Sequence, residues 1–166
     1  MRNIILTIIL INLSSCGFKP LYKVNERILD YKINTIVKVD GDDKNFHRES
    51  LLVKKYLNER LNKTYSKSSN LKLIIAIIRS QSNLGLQKDL STTKYMITYN
   101  ARYKFSDKKG EITTGTVQKF SSFDLGSSSY ANLVAQESTD KNILKALAEE
   151  IANLILATNP KRRIYP

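Results

Sequence analysis

Few residues in this 166-residue chain can do covalent or metal chemistry: it holds one cysteine and one histidine. Cys16 stands where an apolar run stops and the segment Gly17-Phe18-Lys19-Pro20 begins. One thiol excludes an internal disulfide framework and a thiolate metal cluster, so Cys16 is inert, reactive or modified. His47 lacks the partners that a catalytic or metal role needs, and a structural place in the first turn of a helix is expected. Asp40, Asp42 and Asp43 cluster around Gly41, but the Asp-x-Asp-x-Asp-Gly spacing and distal Glu of a calcium loop are missing. A turn followed by a helix N-cap accounts for them better, since carboxylates favour helix N-termini. Serines are many, yet there is no Gly-x-Ser-x-Gly elbow, no Walker loop and no Rossmann glycine pattern. The expectation is no enzyme and no metal site, but a binding module or assembly component.

The N-terminus gives Cys16 its context. Met1-Arg2-Asn3 is a short positive start, and Ile4 to Leu13 is apolar apart from Thr7 and Asn12. That length suits the apolar region of a secretory signal and falls short of the roughly 20 residues of a membrane-spanning helix. Leu13-Ser14-Ser15-Cys16 resembles the lipobox of bacterial lipoproteins, whose cysteine becomes the new N-terminus and carries lipid. The alternative is an ordinary signal peptide that happens to end near a cysteine. The lipobox resemblance implies a covalent N-acyl and S-diacylglycerol lipid on Cys16 and no other cofactor. Each buried methylene contributes about 0.8 kcal/mol, and stable anchoring takes more than one chain. Gly17 follows where an Asp would resemble an inner-membrane retention signal, so the outer membrane is the expected destination.

Removing residues 1–15 takes away only Arg2 among the charged residues. The remaining chain has 26 basic and 15 acidic residues, net +11. Such a balance can mark nucleic-acid binding, but an exported chain meets other anions: phosphates on lipid and lipopolysaccharide (LPS), or acidic protein surfaces. The plain alternative is that lysines keep a small domain soluble.

Four segments read as strands and two as helices. Tyr31 to Val39 is rich in β-branched residues and gives the first strand. Asn45 to Leu61 gives a helix with Phe46, Val53, Tyr56, Leu57 and Leu61 on one side. Lys63 to Asn70 reads as a polar loop. Leu71 to Ser80 is apolar on both faces in its middle, as a central strand would be. From Lys94 to Phe105, Tyr95, Ile97, Tyr99, Ala101, Tyr103 and Phe105 alternate with Lys94, Met96, Thr98, Asn100, Arg102 and Lys104, so one face packs and the other is wet or meets a polar partner. A turn at Asp107 to Gly110 leads to a fourth strand, Ile112 to Phe123, with Gly115 marking a bulge. Ile143, Leu144, Leu147, Ile151, Leu154 and Ile155 stripe a last helix capped by Ser129 or Ser138 and stopped by Pro160. Tyr130, Leu133 and Val134 belong to that helix or to a preceding turn.

The expected fold is α+β: a two-layer sandwich with a four-stranded mixed sheet, two helices on one face, order β-α-β-β-β-α. The expected organisation is a signal peptide at 1–15, a lipidated tether at 16–30, one domain at 31–158 and a basic tail at 159–166.

Cys16-Gly17-Phe18-Lys19-Pro20-Leu21-Tyr22 resembles the mature start of the LPS-assembly lipoprotein family LptE in its alphaproteobacterial form, Cys-Gly-Phe-x-Pro-Leu-Tyr. The order of elements, the segment LGLQKDLSTTKYMITYNARYKF, and FSSFD followed by SYANLVAQESTDKNILKALAEEIANLIL extend the resemblance along the mature chain. It implies an outer-membrane lipoprotein that plugs the β-barrel partner LptD, assists its assembly and binds LPS in transit. A family basic residue in the hairpin between strands two and three falls at Lys88, with Lys94 nearby as support. A second family basic position falls near Asn132, where this chain has no charge. Two rivals stand beside this reading: an envelope scaffold for another complex without LPS binding, and a soluble carrier for an anionic lipid.

Overall fold

The computed structural model describes residues 31–40, 45–62, 67–86 and 92–158. Strand β1 (Tyr31–Asp40) leads to helix α1 (Asn45–Leu61), then to β2 (Lys67–Leu86), β3 (Thr92–Asp107) and β4 (Gly110–Asp124), and α2 (Ser129–Ala157) closes the order. The sheet runs β1-β2-β3-β4. β1 lies parallel to β2, which α1 makes possible by carrying the chain back to the starting edge. β2, β3 and β4 form an antiparallel meander. The expected order, mixed sheet and two helices are all present, and β2 is central, paired on both sides.

The period-2 pattern decides which face the helices cover. Ile97, Tyr99, Ala101, Tyr103 and Phe105 of β3 are buried, as are Leu71, Leu73, Ile75 and Ile77 of β2. They meet Val53, Leu57 and Leu61 of α1 and Ile143, Leu144, Leu147, Ile151 and Ile155 of α2 in one core. Burying a side chain of this kind stabilises by about 1.5–3 kcal/mol, so this interface is what holds the two layers together. Among the described residues the opposite face of the sheet carries no helix.

Several local expectations are corrected. β2 begins at Lys67, so the last four residues of the supposed polar loop are strand. Pairing with β1, Tyr31 to Lys67 and Lys32 to Ser68, recruits them despite their polarity. β2 also runs on to Leu86, six residues past its apolar stretch, because β3 pairs with it throughout. The β3–β4 irregularity lies between Phe105 and Ser106, not at Gly115. Gly115 answers a different need, since a Cβ there would stand 2.6 Å from the Tyr103 hydroxyl oxygen. The cap of α2 is Ser128, one residue before the first expected candidate, and its Oγ accepts from the Ala131 N–H at 3.3 Å. Tyr130, Leu133 and Val134 lie within α2 and are exposed. The Asp42 and Asp43 cap and the Pro160 stop fall outside the described residues.

Asn62, just past α1, fixes how the helix returns to the sheet. Its Oδ1 accepts from the Ile33 N–H at 3.0 Å, and its Nδ2 donates to the Ile33 carbonyl at 3.3 Å. A side-chain amide thereby pairs both main-chain groups of Ile33, at the point where the β1–β2 register shifts between Lys32 and Asn34.

Candidate functional site

The sequence-derived site residues are Cys16, Lys88 and Lys94. Cys16 and Lys88 lie outside the described residues, and Lys94 lies within them. Lys94 sits near the start of β3 with its side chain on the helix-free face, where its Nζ is 3.3 Å from Asp124 Oδ1 across the β3–β4 pair. An exposed pair of this kind contributes at most about 1 kcal/mol and leaves the ammonium open to water. On the other face at this end of the sheet, Tyr95 and Phe123 meet with ring centroids 5.8 Å apart.

Asn132 does structural work that explains why it carries no charge. Its Oδ1 accepts from the Gly126 N–H at 2.8 Å and its Nδ2 donates to the Gly126 carbonyl at 2.9 Å. That clasp closes the connection from β4 into α2. A basic side chain lacks the acceptor half of it. His47 is exposed, and its carbonyl accepts from the Ser50 hydroxyl at 2.8 Å.

The structure assembles one cluster that the sequence did not reveal. Arg79 of β2 donates from Nε to Asp140 Oδ1 at 3.1 Å and from Nη2 to Oδ2 at 3.3 Å. The Tyr99 hydroxyl lies 2.8 Å from Glu49 Oε1 and 2.9 Å from Asp140 Oδ1, with one hydrogen to divide between them. Arg79 also approaches Glu49 Oε1 at 4.0 Å. Four polar groups from α1, β2, β3 and α2 thus meet where the helices cross the sheet. Burial works against the Arg79 charge, but the hydrogen bond and charge of Asp140 outweigh it, and its pKa ends above the ordinary value. Burial, then the hydrogen bond to Glu49 and the two carboxylate charges, hold the Tyr99 phenol far above its usual range. A sequence signal for Arg79 did exist. It continues the odd-numbered series of buried β2 residues, Leu71, Leu73, Ile75 and Ile77, and so must face the helices.

Beside this cluster, between α1 and α2, opens a cleft of about 340 Å³ lined by Leu52, Leu133 and Leu144 together with Arg48, Glu137 and Lys141. Its cations and carboxylates are closely matched, and Arg48 already pairs with Glu137 at 2.9 Å. Among the described residues no group of three or more His, Cys, Asp or Glu is placed to hold a metal ion. No described helix is long and apolar enough to cross a membrane.

This architecture, a four-stranded sheet with two helices on one face, is shared with solved bacterial lipoproteins. The rare lipoprotein B of Shewanella oneidensis superposes with a TM-score of 0.58 at 15% identity, over 78% of this chain and 98% of that one. A lipoprotein of Caulobacter crescentus gives 0.52 at 19% identity, over 76% and 88%. Lipoprotein B of Nitrosomonas europaea gives 0.50 at 13% identity, over 77% and 86%. At such identities the likeness establishes the fold. No curated protein matches by sequence. The family model for lipopolysaccharide assembly, LptE, matches residues 34–158, and the chain belongs to that family.

Proposed function

We propose that this chain is anchored to the outer membrane by lipid on Cys16, occupies the lumen of the β-barrel LptD, assists the assembly of that barrel, and binds LPS on its way to the outer leaflet. Residues 1–15 act as the lipoprotein signal, 16–30 as the lipidated tether and 159–166 as a basic tail. The observation that carries this reading is the family match over residues 34–158. A polar barrel lumen suits a domain whose open sheet face presents Lys38, Lys72, Lys94, Arg102 and Lys104. Lys88, with Lys94 in support, offers ammonium groups to LPS phosphates, each acting as a point charge without the fork of an arginine.

The test is isolation of the tagged full chain from native outer membranes. A heat-resistant complex with a large barrel, containing LPS, is the expected result. Mass spectrometry of the N-terminus should find Cys16 first and acylated, and Cys16→Ala should leave a longer precursor. A lone lipid-loaded monomer would favour the carrier, and a different envelope complex without LPS would favour the scaffold.

A further inference from the structure

The two helices carry six basic and six acidic residues, while the four strands carry nine basic and four acidic. Among the described residues the charge excess therefore belongs to the sheet and its β3–β4 turn, where Lys108 and Lys109 add two. Two of the strand cations, Arg79 and Lys119, face the helices, where Asp140 and Glu150 hold them. Lys72, Arg102 and Lys104 alternate with buried neighbours, Lys38 with half-buried Val37 and Val39, and all four project from the opposite face and are exposed. The register gathers these four. Lys38 and Arg102 flank Ala76 in one cross-sheet row, and Ile74, paired with Lys104, lies two residues from Lys72 along β2.

We infer that the helix-free face of the sheet is a docking surface for a carboxylate-bearing protein wall. Three features carry the inference. The first is size: four strands about 4.8 Å apart and the sixteen residues of β3 give a face of about 15 by 50 Å. That is close to the roughly 800 Å² that one partner contributes to a stable protein interface. The second is composition. Phe120 is 70% exposed and Ile78 is 47% exposed, and both sit mid-face in rows completed by Ser80, Thr98, Asn100 and Gln118. Half-buried Ile36 and Ile74 and exposed Ala76 share this face, and such a mixture of apolar side chains with hydroxyls, amides and charges matches a protein surface. The third is sign. Asp124 and Glu111 accompany Lys94 and Lys104 on this side. These carboxylates stand among the cations, and a protein wall can complement both signs and so set orientation. The identification of that wall as the barrel interior rests on the function proposed above.

The experiment places a photocrosslinking amino acid at Thr98 or Gln118 on the open face, and at Lys145 or Asn153 on the exposed side of α2, in full-length chain made in native cells. Thr98 and Gln118 should crosslink to one large outer-membrane polypeptide, and the α2 positions should not. A second measurement uses Lys72→Glu combined with Arg102→Glu. Co-isolated barrel should fall at least tenfold with the urea midpoint unchanged, and Arg102→Lys should behave as wild type. Protein crosslinks from α2 alone would overturn the docking face and leave the proposed function standing. Crosslinks from the open face to lipid or LPS alone would also overturn it. Wild-type chain that captures no protein from either face would sink both readings.

Discussion

Tyr99 is fully buried, yet its hydroxyl stands between two carboxylates, and that position makes folding sensitive to high pH. In the unfolded chain the phenol ionises at about pH 10. In the folded chain burial and the carboxylates keep it protonated well beyond that. The stability it contributes is fully present below about pH 10. It is lost as pH rises further, by up to about 1.4 kcal/mol per unit, because only the unfolded state releases the proton. Tyr99→Phe should cost about 1–3 kcal/mol at pH 7, since it leaves buried acceptors short of a donor. It should also flatten the alkaline fall in stability by one proton. Urea unfolding from pH 7 to 10.5, wild type against variant, reads both effects; equal slopes would show that the phenol ionises as readily folded as unfolded. The cluster was hidden in the sequence because its members sit at positions 49, 79, 99 and 140. Only the packing of two helices on the sheet makes them neighbours.

At the scale of elements, alternation along β3 is the strongest organiser, and it is also what the sequence displayed most plainly. One face buries and the other does not, so Ile97→Ala should cost about 2–5 kcal/mol while Arg102→Ala changes little in the folded domain. Equal losses in urea unfolding would mean that both faces are covered. Gly115 is subtler. A methyl group there meets the ring and hydroxyl of buried Tyr103, so Gly115→Ala should cost about 1–3 kcal/mol through overpacking. The cost should vanish in a Tyr103→Ala background, a coupling that a double-mutant cycle measures directly. The strand pattern locates Gly115 in β4 but is silent on which ring crosses it. The same limit explains the ends of β2. Lys67 to Asn70 and Gln81 to Leu86 lack an apolar pattern and become strand because β1 and β3 offer partners along their length. Among Ser127, Ser128 and Ser129 any one can cap a helix, and the Asn132 clasp on Gly126 settles the choice.

Viewed whole, the molecule separates its tasks by layer: balanced helices close the core, and the sheet presents the cations. LPS recognition under the proposed function then falls to the β2–β3 end, where Lys94 stands on the open face and Lys88 lies in the adjoining chain. An exposed ammonium attracts a phosphate over a reach that physiological salt shortens to about 8 Å, so its contribution depends strongly on ionic strength. Alanine would only delete attraction at a site where Lys94 remains. Aspartate adds repulsion as well. Lys88→Asp should therefore weaken LPS binding several-fold at low salt, with the gap closing as salt rises, while the urea midpoint and co-isolation with the barrel stay as in wild type. Binding of LPS to the purified unlipidated chain across a salt series is the measurement. Equal binding by both proteins at low salt would reduce Lys88 to a solvated turn lysine. If the wild type bound no LPS at any salt, the chain would act as a scaffold within the assembly pathway.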